Sequence, residues 1–324
     1  MKLLLPPEYV AQATADVNKA QTRVLLMTMV LADTPASHEL IDALEAAAKR
    51  GVEVTVSADV FTYGEVGGSF LPVKYYNINS RQATKMAKRL RAAGVKFQWL
   101  GRGRSFIFSG RTHMKWCVID DIVYTFGGVN MYEIGIHNND YMFKLQDESL
   151  AERLVHEQKR IARAERTNSN YPSVSFDLGK DIVLFDGGII GQSIIYRRVI
   201  DLVREASSVL YVSQYGPTGR LGRLLKSKES HLYFSRPEQA DFINWILIKF
   251  NAITSGTKTL YTKKQYLHAK FMIFTMPDGS KVAITGSHNF SSSGVLLGTR
   301  EIALETRDPA VISQLESFFK MHVA

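Results

Sequence analysis

Cysteine is almost absent: Cys117 stands alone in 324 residues. A single thiol excludes an internal disulfide framework and any cysteine-rich zinc site, and it fits a reducing compartment, so cytoplasmic placement is expected. Long apolar runs are missing as well. No stretch reaches the ~18 uninterrupted apolar residues of a membrane-spanning helix. The opening MKLLLPPEYV has one lysine and three leucines before two prolines, too short for the apolar core of a signal peptide. Acidic residues are the minority: 31 Asp and Glu against 40 Lys and Arg leave a formal charge of +9. That balance favours anionic partners, such as nucleic acid, anionic lipid headgroups or phosphorylated substrates, without choosing among them. His38, His156, His231 and His322 lie in no motif, and no spacing suggests a zinc site.

What is present is an ordinary globular composition, 45% hydrophobic and 22% charged, in a chain long enough for two domains or one duplicated unit. Helix and strand signals alternate, which argues for a layered α/β fold. A polar helix over residues 8–20 leads into a β-rich run from Arg23 to Leu31; a helix ending at Gly51 and the strand VEVTVSA follow. The second half begins in the same way. VIDLVREASSVLYVSQYG places a helix before a strand just as ADVNKAQTRVLLMTMVL does, so the chain reads as an internal duplication. TNSNYPS, residues 167–173, has linker composition and separates a first half, 1–168, from a second, 174–324. From Val24 to His113 is 89 residues and from Val209 to His268 is 59, so the first half carries 30 more. The extra length includes FTYGEVGGSFLPVKYYN, residues 61–77, expected as an aromatic, glycine-rich binding loop or as a packed surface loop.

Each half contains one chemistry-bearing pattern. In RTHMKWCVIDDIVYTFGGVN, His113 and Lys115 are two apart on a run of β character, which sends both side chains to one face. A turn at Asp120 and Asp121 leads to a second strand that ends in Gly127, Gly128 and Asn130. In LHAKFMIFTMPDGSKVAITGSHN the arrangement returns as His268, Lys270, Gly286, Ser287 and Asn289. His to Asn spans 17 residues in the first copy and 21 in the second, the longer hairpin turning at Pro277, Asp278 and Gly279.

Both segments resemble the HxKx4Dx6GSxN signature of the phospholipase D superfamily, and the duplicated plan extends the resemblance over nearly the whole chain. Two departures stand out. The first copy reads GGVN, which resembles cardiolipin synthases, and in the second copy Thr275 takes the place of the family Asp. Its counterpart Asp120 has strand parity opposite to His113 and lies next to a turn, which marks it as mainly a hairpin residue. The resemblance implies two pseudo-symmetric α/β/α sandwich halves with the active site at their interface.

It also implies roles. One neutral imidazole attacks phosphorus and forms a phosphohistidine. Lys115, Lys270, Asn130 and Asn289 hold the non-bridging oxygens, and the second imidazole protonates the leaving oxygen. The resemblance assigns His113 as nucleophile and His268 as general acid and base; the chemistry of two imidazoles admits the reverse order. Asp140 and Glu301 resemble the acidic residues that orient the catalytic histidines, with a surface ion-pair role as the alternative. His137 and His288 read as turn residues. Arg102, Arg104 and Arg111 are phosphate-binding candidates, or else an exposed basic loop. No metal or cofactor is implied.

Phosphatidyl transfer or phospholipase D hydrolysis on phospholipid is the leading expectation, with peripheral docking on an anionic membrane through Phe61, Phe70, Leu71, Tyr75 and Tyr76. A metal-independent nuclease of the same superfamily is the alternative, and a binding protein with a vestigial site is disfavoured by the intact His, Lys and Asn of both copies. With two motifs in one chain, an oligomer is not required.

Overall fold

The computed structural model describes residues 1–68, 77–102, 110–240 and 242–324. It is a mixed α/β fold in two compact units. The first comprises Met1–Thr125, Val129–His137 and Tyr141–Ser169; the second comprises Phe126–Gly128, Asn138–Asp140 and Asn170–Ala324. The chain crosses over near the linker composition noted above, but two short segments on the far side of the first motif cluster with the second unit.

In the first unit the elements are β1 (Lys2–Leu4), α1 (Pro6–Lys19), β2 (Arg23–Thr28), α2 (His38–Lys49), β3 (Glu53–Asp59), α3 (Phe61–Gly67), α4 (Ile78–Ala92), β4 (Lys96–Leu100), β5 (Trp116–Ile119), β6 (Ile122–Thr125), α5 (Glu133–His137), β7 (Met142–Gln146) and α6 (Glu148–Arg166). Among the described residues the strands form one seven-stranded sheet in the order β1-β7-β6-β5-β2-β3-β4. β2, β3 and β4 run parallel, because helical segments carry the chain back between them, as a parallel pair requires. β5, β6 and β7 are antiparallel neighbours; a tight turn joins β5 to β6, and residues 126–141, which include α5, lie between β6 and β7. α2 buries Leu40, Ile41, Leu44 and Ala47 on one stripe, the spacing that packs a helix on a sheet. Those side chains join Val24, Leu26, Val54, Val56 and Ala58 in a single core. α2 ends before Gly51, whose φ of +92° is the left-handed geometry that glycine accepts without a Cβ penalty.

The segment expected as a long aromatic loop begins otherwise. Residues 61–67 are the helix α3, and Phe61 packs, half-buried, against Val30, Ala32 and Tyr132. The ring thus packs on apolar partners of its own unit. Phe70, Leu71, Tyr75 and Tyr76 fall outside the described residues. Part of the extra length of the first half goes to α4 and to the additional parallel edge strand β4.

The second unit holds β8 (Val174–Leu178), β9 (Asp181–Gly187), α7 (Ile194–Glu205), β10 (Ser208–Ser213), α8 (Gly219–Lys226), β11 (Glu229–Phe234), α9 (Phe242–Ser255), β12 (Phe271–Thr275), β13 (Lys281–Gly286), α10 (Ser292–Leu297), β14 (Arg300–Thr306) and α11 (Pro309–Phe318). Its sheet runs β11-β10-β12-β13-β14-β9-β8. Read from the other end, β14-β13-β12-β10-β11 repeats β7-β6-β5-β2-β3, and in each sheet the last two of these strands pair in parallel. The duplication seen in the sequence is therefore a duplication of sheet topology. No helix among the described residues is long and apolar enough to cross a membrane.

The family Asp in the first copy works as a clasp. Asp120, with φ of 51°, turns the β5–β6 hairpin. Its carboxylate accepts hydrogen bonds from the backbone N–H groups of Gln21, Thr22 and Arg23 and from the Thr22 hydroxyl, at 2.6–3.1 Å. In the second unit Thr275 replaces it, and the matching tie is made by backbone: Ser207 donates its N–H and its hydroxyl to the Thr275 carbonyl at 2.8 and 2.9 Å. Partial desolvation alone would raise the Asp120 pKa, but the bonds from Thr22, Gln21 and Arg23 outweigh it and hold the carboxyl below its ordinary value. A depressed carboxylate stabilises the fold above its unfolded pKa of ~3.9 and loses that contribution as pH falls through the lower folded value. Asp120→Ala is expected to cost about 1–3 kcal/mol in urea unfolding at pH 7, with Asp120→Asn milder because Asn tolerates the same φ and keeps one acceptor oxygen. The difference between wild type and Asp120→Ala should shrink below pH 4; a difference independent of pH would refute the role of the charge.

Candidate active site

In both copies the His-x-Lys pair lies in the extended segment that enters a strand: His113 and Lys115 just before β5, His268 and Lys270 just before β12. In both, the lysine folds back onto its own motif. Lys115 Nζ donates to the His113 carbonyl at 2.7 Å, and Lys270 Nζ donates to the His268 carbonyl. Both lysines are buried, at 3% and 2% exposure, and a buried ammonium must be hydrogen-bonded to be tolerated. Repetition of the same back-bond in two units shows that HxK spacing sets a local geometry: the ammonium fixes the carbonyl of the residue that carries the imidazole.

The first motif rests on a polar floor. Trp116, fully buried, donates its indole N–H to Gln158 of α6 at 2.9 Å, and Gln158 donates to Ser57 of β3 at 3.2 Å. Thr125 donates its hydroxyl to the Lys115 carbonyl at 3.1 Å and so locks the hairpin behind the motif. Asn130 has its side-chain oxygen engaged by the Val30 N–H at 3.3 Å, which leaves its amide N–H groups as donors. His113 itself is half-buried.

Arg111, read as a phosphate-binding candidate or part of an exposed basic loop, is not exposed. It is buried in an ion pair with Asp59, whose side chain is wholly enclosed. Burial pushes the Asp59 carboxyl up, against the pull of the Arg111 guanidinium and the Phe61 N–H. A guanidinium enclosed with its own carboxylate belongs to the scaffold beneath His113, because separating such a pair leaves an uncompensated buried charge. Arg102 is exposed, and Arg104 falls outside the described residues.

In the second unit His268 is held by backbone and by side chain. Segment 138–140 runs beside residues 266–269: the Asn139 carbonyl accepts from the N–H groups of both His268 and Ala269 at 3.0 Å, and the Asn139 N–H donates to the Tyr266 carbonyl at 2.9 Å. Asp140, buried at 1% exposure, brings Oδ2 to 2.7 Å from His268 Nδ1. A carboxylate at Nδ1 selects the tautomer with the proton there. Asp140 follows the first motif in the chain, yet the imidazole it meets belongs to the second.

This pair explains the glycine of the first copy. The Gly128 N–H donates to Asp140 Oδ1 at 3.3 Å, and a Cβ at Gly128 would lie 2.6 Å from Asp140 Oδ2 and 3.1 Å from His268 Nδ1. The serine of GSxN has no room there. Its counterpart Ser287 does have room, and its hydroxyl donates to buried Glu301. Gly286 is forced by the sheet, since a Cβ would meet the Ile302 carbonyl at 2.2 Å. Glu301 is thus tied to the second motif by Ser287, as Asp140 is tied to Gly128.

Asn289 anchors its loop through its carbonyl, which accepts from the Ser213 hydroxyl at 2.9 Å. Its side-chain oxygen has no hydrogen-bond partner among the described residues. His288, read as a turn residue, lies in the loop after β13, buried at 2% exposure, and its Nδ1 accepts from the Phe290 N–H at 2.8 Å. Sequence reasoning passed over Asn139, whose backbone holds the second motif. Its only signal was the polar run HNND beside Asp140.

Gly128→Ala is expected to push Asp140 off the imidazole, at an overpacking cost of about 1–3 kcal/mol. In proton NMR the downfield Nδ1–H resonance expected of His268 should vanish in Gly128→Ala and in Asp140→Ala, with an unchanged far-UV circular dichroism spectrum. Survival of that resonance in Gly128→Ala would mean that the glycine is not there to make room.

The model of the family described as cardiolipin synthase, PLD-like domain, matches residues 14–162 and 243–323. No curated protein matches the chain. Among solved structures, phosphatidylserine synthase from Haemophilus influenzae Rd KW20 is similar over 100% of this chain and 86% of that one, with a TM-score of 0.71 at 16% identity. Polyphosphate kinase from Porphyromonas gingivalis is similar over 98% of this chain and 49% of that one, with a TM-score of 0.60 at 15% identity. At these identities the structures speak for the fold. The family match covers more than half of the chain and includes both histidine motifs, and the protein belongs to the phospholipase D-like family of the cardiolipin synthase type.

Proposed function

We propose that this protein is a phosphatidyltransferase or phospholipase D-type phosphodiesterase that acts on phospholipid through a phosphohistidine. The observation that carries the reading is the buried carboxylate of Asp140 on His268 Nδ1, with space for it secured by Gly128. A buried acid fixed on a histidine costs desolvation, and such an arrangement is a mark of groups tuned for proton transfer. The GGVN variant and the family match support the phosphatidyl branch of the superfamily.

The reaction runs in two displacements. His113 Nε2 attacks phosphorus, the bond to the headgroup oxygen breaks, and His268 gives its Nε2 proton to that oxygen. His268 then takes a proton from an incoming water or alcohol, whose oxygen attacks the phosphohistidine, releases His113 and completes hydrolysis or phosphatidyl transfer. Charge building on the non-bridging oxygens is met by Lys115, Lys270, Asn130 and Asn289. Asp140 stabilises the imidazolium form of His268 and holds its orientation. The charge of +9 also suits nucleic acid, so the substrate test includes it.

His113→Ala and His268→Ala should each abolish turnover, because nucleophile and proton donor act as a unit, and Asp140→Asn should lower kcat by about 10²-fold or more by misplacing the ring. Mass spectrometry of acid-trapped enzyme should find a phosphoryl adduct on His113; an adduct on His268 would reverse the two roles.

Turnover is expected to survive excess EDTA, since the lysines and asparagines carry the charge stabilisation. Phosphatidylglycerol, with and without an added alcohol, should yield free headgroup or a transferred phosphatidyl product. Cleavage of single- or double-stranded DNA or RNA with no lipid product would refute the lipid reading and leave the two-histidine chemistry in place. Loss of turnover on chelation, restored by a divalent ion, would refute the mechanism.

A further inference from the structure

In the second unit, α9 has an outer face that its own unit does not cover. Leu247, Phe250 and Ile253 are 43%, 67% and 74% exposed, and their spacing of three places them on one side of the helix. Ile248 and Asn251, on the other side, are buried. Three large apolar residues at helical spacing on a surface form a patch of the kind that marks an interaction site.

Charge indicates what covers it. From Phe242 to Pro277 the chain contains no Asp or Glu, while lysines outside the buried second motif stand at 249, 258, 263 and 264. Lys249 is exposed and sits 4.5 Å over the ring of Trp245, beside the patch. Lys258 is exposed just beyond the helix end, and Lys226 Nζ would lie 3.2 Å from a Cβ at Gly256. An apolar stripe rimmed by ammonium groups suits the boundary of an anionic bilayer: the rings and aliphatic chains enter the acyl region while the lysines meet phosphate headgroups. Two copies of this face packed together would set like charges against each other, which disfavours self-association.

The inner side of the same helix reaches the catalytic segment. The Asn244 side-chain oxygen accepts from Gln214 Nε2 at 3.3 Å, and Gln214 donates to the Tyr266 hydroxyl at 2.7 Å. Tyr266 lies two residues before His268, their rings 6.2 Å apart. One helix thus carries an apolar, cation-rimmed face outward and is linked inward, through Gln214, to Tyr266 in the segment that bears His268.

We propose that α9 is an interfacial docking helix, by which Leu247, Phe250 and Ile253 insert into an anionic lipid surface and bring the second motif to the headgroup layer. The proposal deepens the phospholipid reading and rests on it. It moves membrane contact from the aromatic segment of the first half to a helix of the second.

The test is sedimentation of the full chain with vesicles of phosphatidylglycerol or of phosphatidylcholine. Each variant is also assayed on a short-chain phosphatidylglycerol kept below its micelle concentration. Wild type should bind the anionic vesicles and ignore the neutral ones. Leu247→Ser/Phe250→Ser/Ile253→Ser should weaken binding by about 100-fold or more, the scale set by removing three buried side chains from the interface. Lys249→Gln and Lys258→Gln should each weaken it about fivefold. Turnover of the monomeric substrate should stay at the wild-type level in all of them, which separates docking from chemistry. If wild type turns over the monomeric lipid but does not bind anionic vesicles, the docking proposal falls and the function stands; if it turns over no lipid at all, the function falls. Unaltered vesicle binding by the triple variant, conversion of a wild-type dimer to monomer by that variant, or displacement of vesicles by single-stranded DNA would each overturn the proposal.

Discussion

The second motif of this protein is organised around one buried contact, the Asp140 carboxylate on the Nδ1 of His268. A carboxylate out of water is tolerated only when its charge is answered and its oxygens are hydrogen-bonded. Here one oxygen takes the imidazole and the other takes the Gly128 N–H. That requirement reaches back into the chain. It excludes a side chain at position 128, and it draws segment 138–140 alongside residues 266–269, where Asn139 becomes the backbone partner of His268 and Ala269. Gly128 and Asp140 lie in the two short segments, 126–128 and 138–140, that cluster with the second unit.

The two copies of the motif reach similar ends by different bonds. Each lysine back-bonds to the histidine carbonyl, so that part of the design is inherited whole. The clasp at the far end of the hairpin is a carboxylate in one unit and a carbonyl in the other. The tie to the acidic residue is a glycine N–H in one and a serine hydroxyl in the other. Departures from the family signature at Gly128 and Thr275 are therefore local exchanges of hydrogen-bond donor or acceptor. They leave the positions of histidine, lysine and asparagine in the pattern unchanged.

Much of the fold was legible because it follows from periodicity. The helix read over residues 8–20 and the one read as ending at Gly51 fall within a few residues of α1 and α2, and the repeated helix–strand plan announced two sheets of like topology. Where residue type spoke of more than one environment, reading failed. Phe61 read as a loop aromatic and packs from α3; Arg111 read as a phosphate ligand or part of an exposed basic loop and is buried in an ion pair with Asp59; His288 read as a turn residue and is buried in its loop. An aromatic ring, a guanidinium and an imidazole each suit core and site alike, and only the neighbours decide.

The sequence by itself determined the repeated pattern: two histidines, two lysines and two asparagines, with a hairpin between each histidine and its asparagine. Those features depend on short-range spacing, which a linear string records in full. Tertiary structure decided which acid serves which group, why one copy needs glycine where the other has serine, and which helix leaves an apolar face uncovered. Asp140 and His268 are separated by 128 residues, and no local rule of spacing connects them. Their meeting depends on the way segment 138–140 crosses to the second unit, a long-range pairing settled by the burial of charge and the closure of backbone hydrogen bonds.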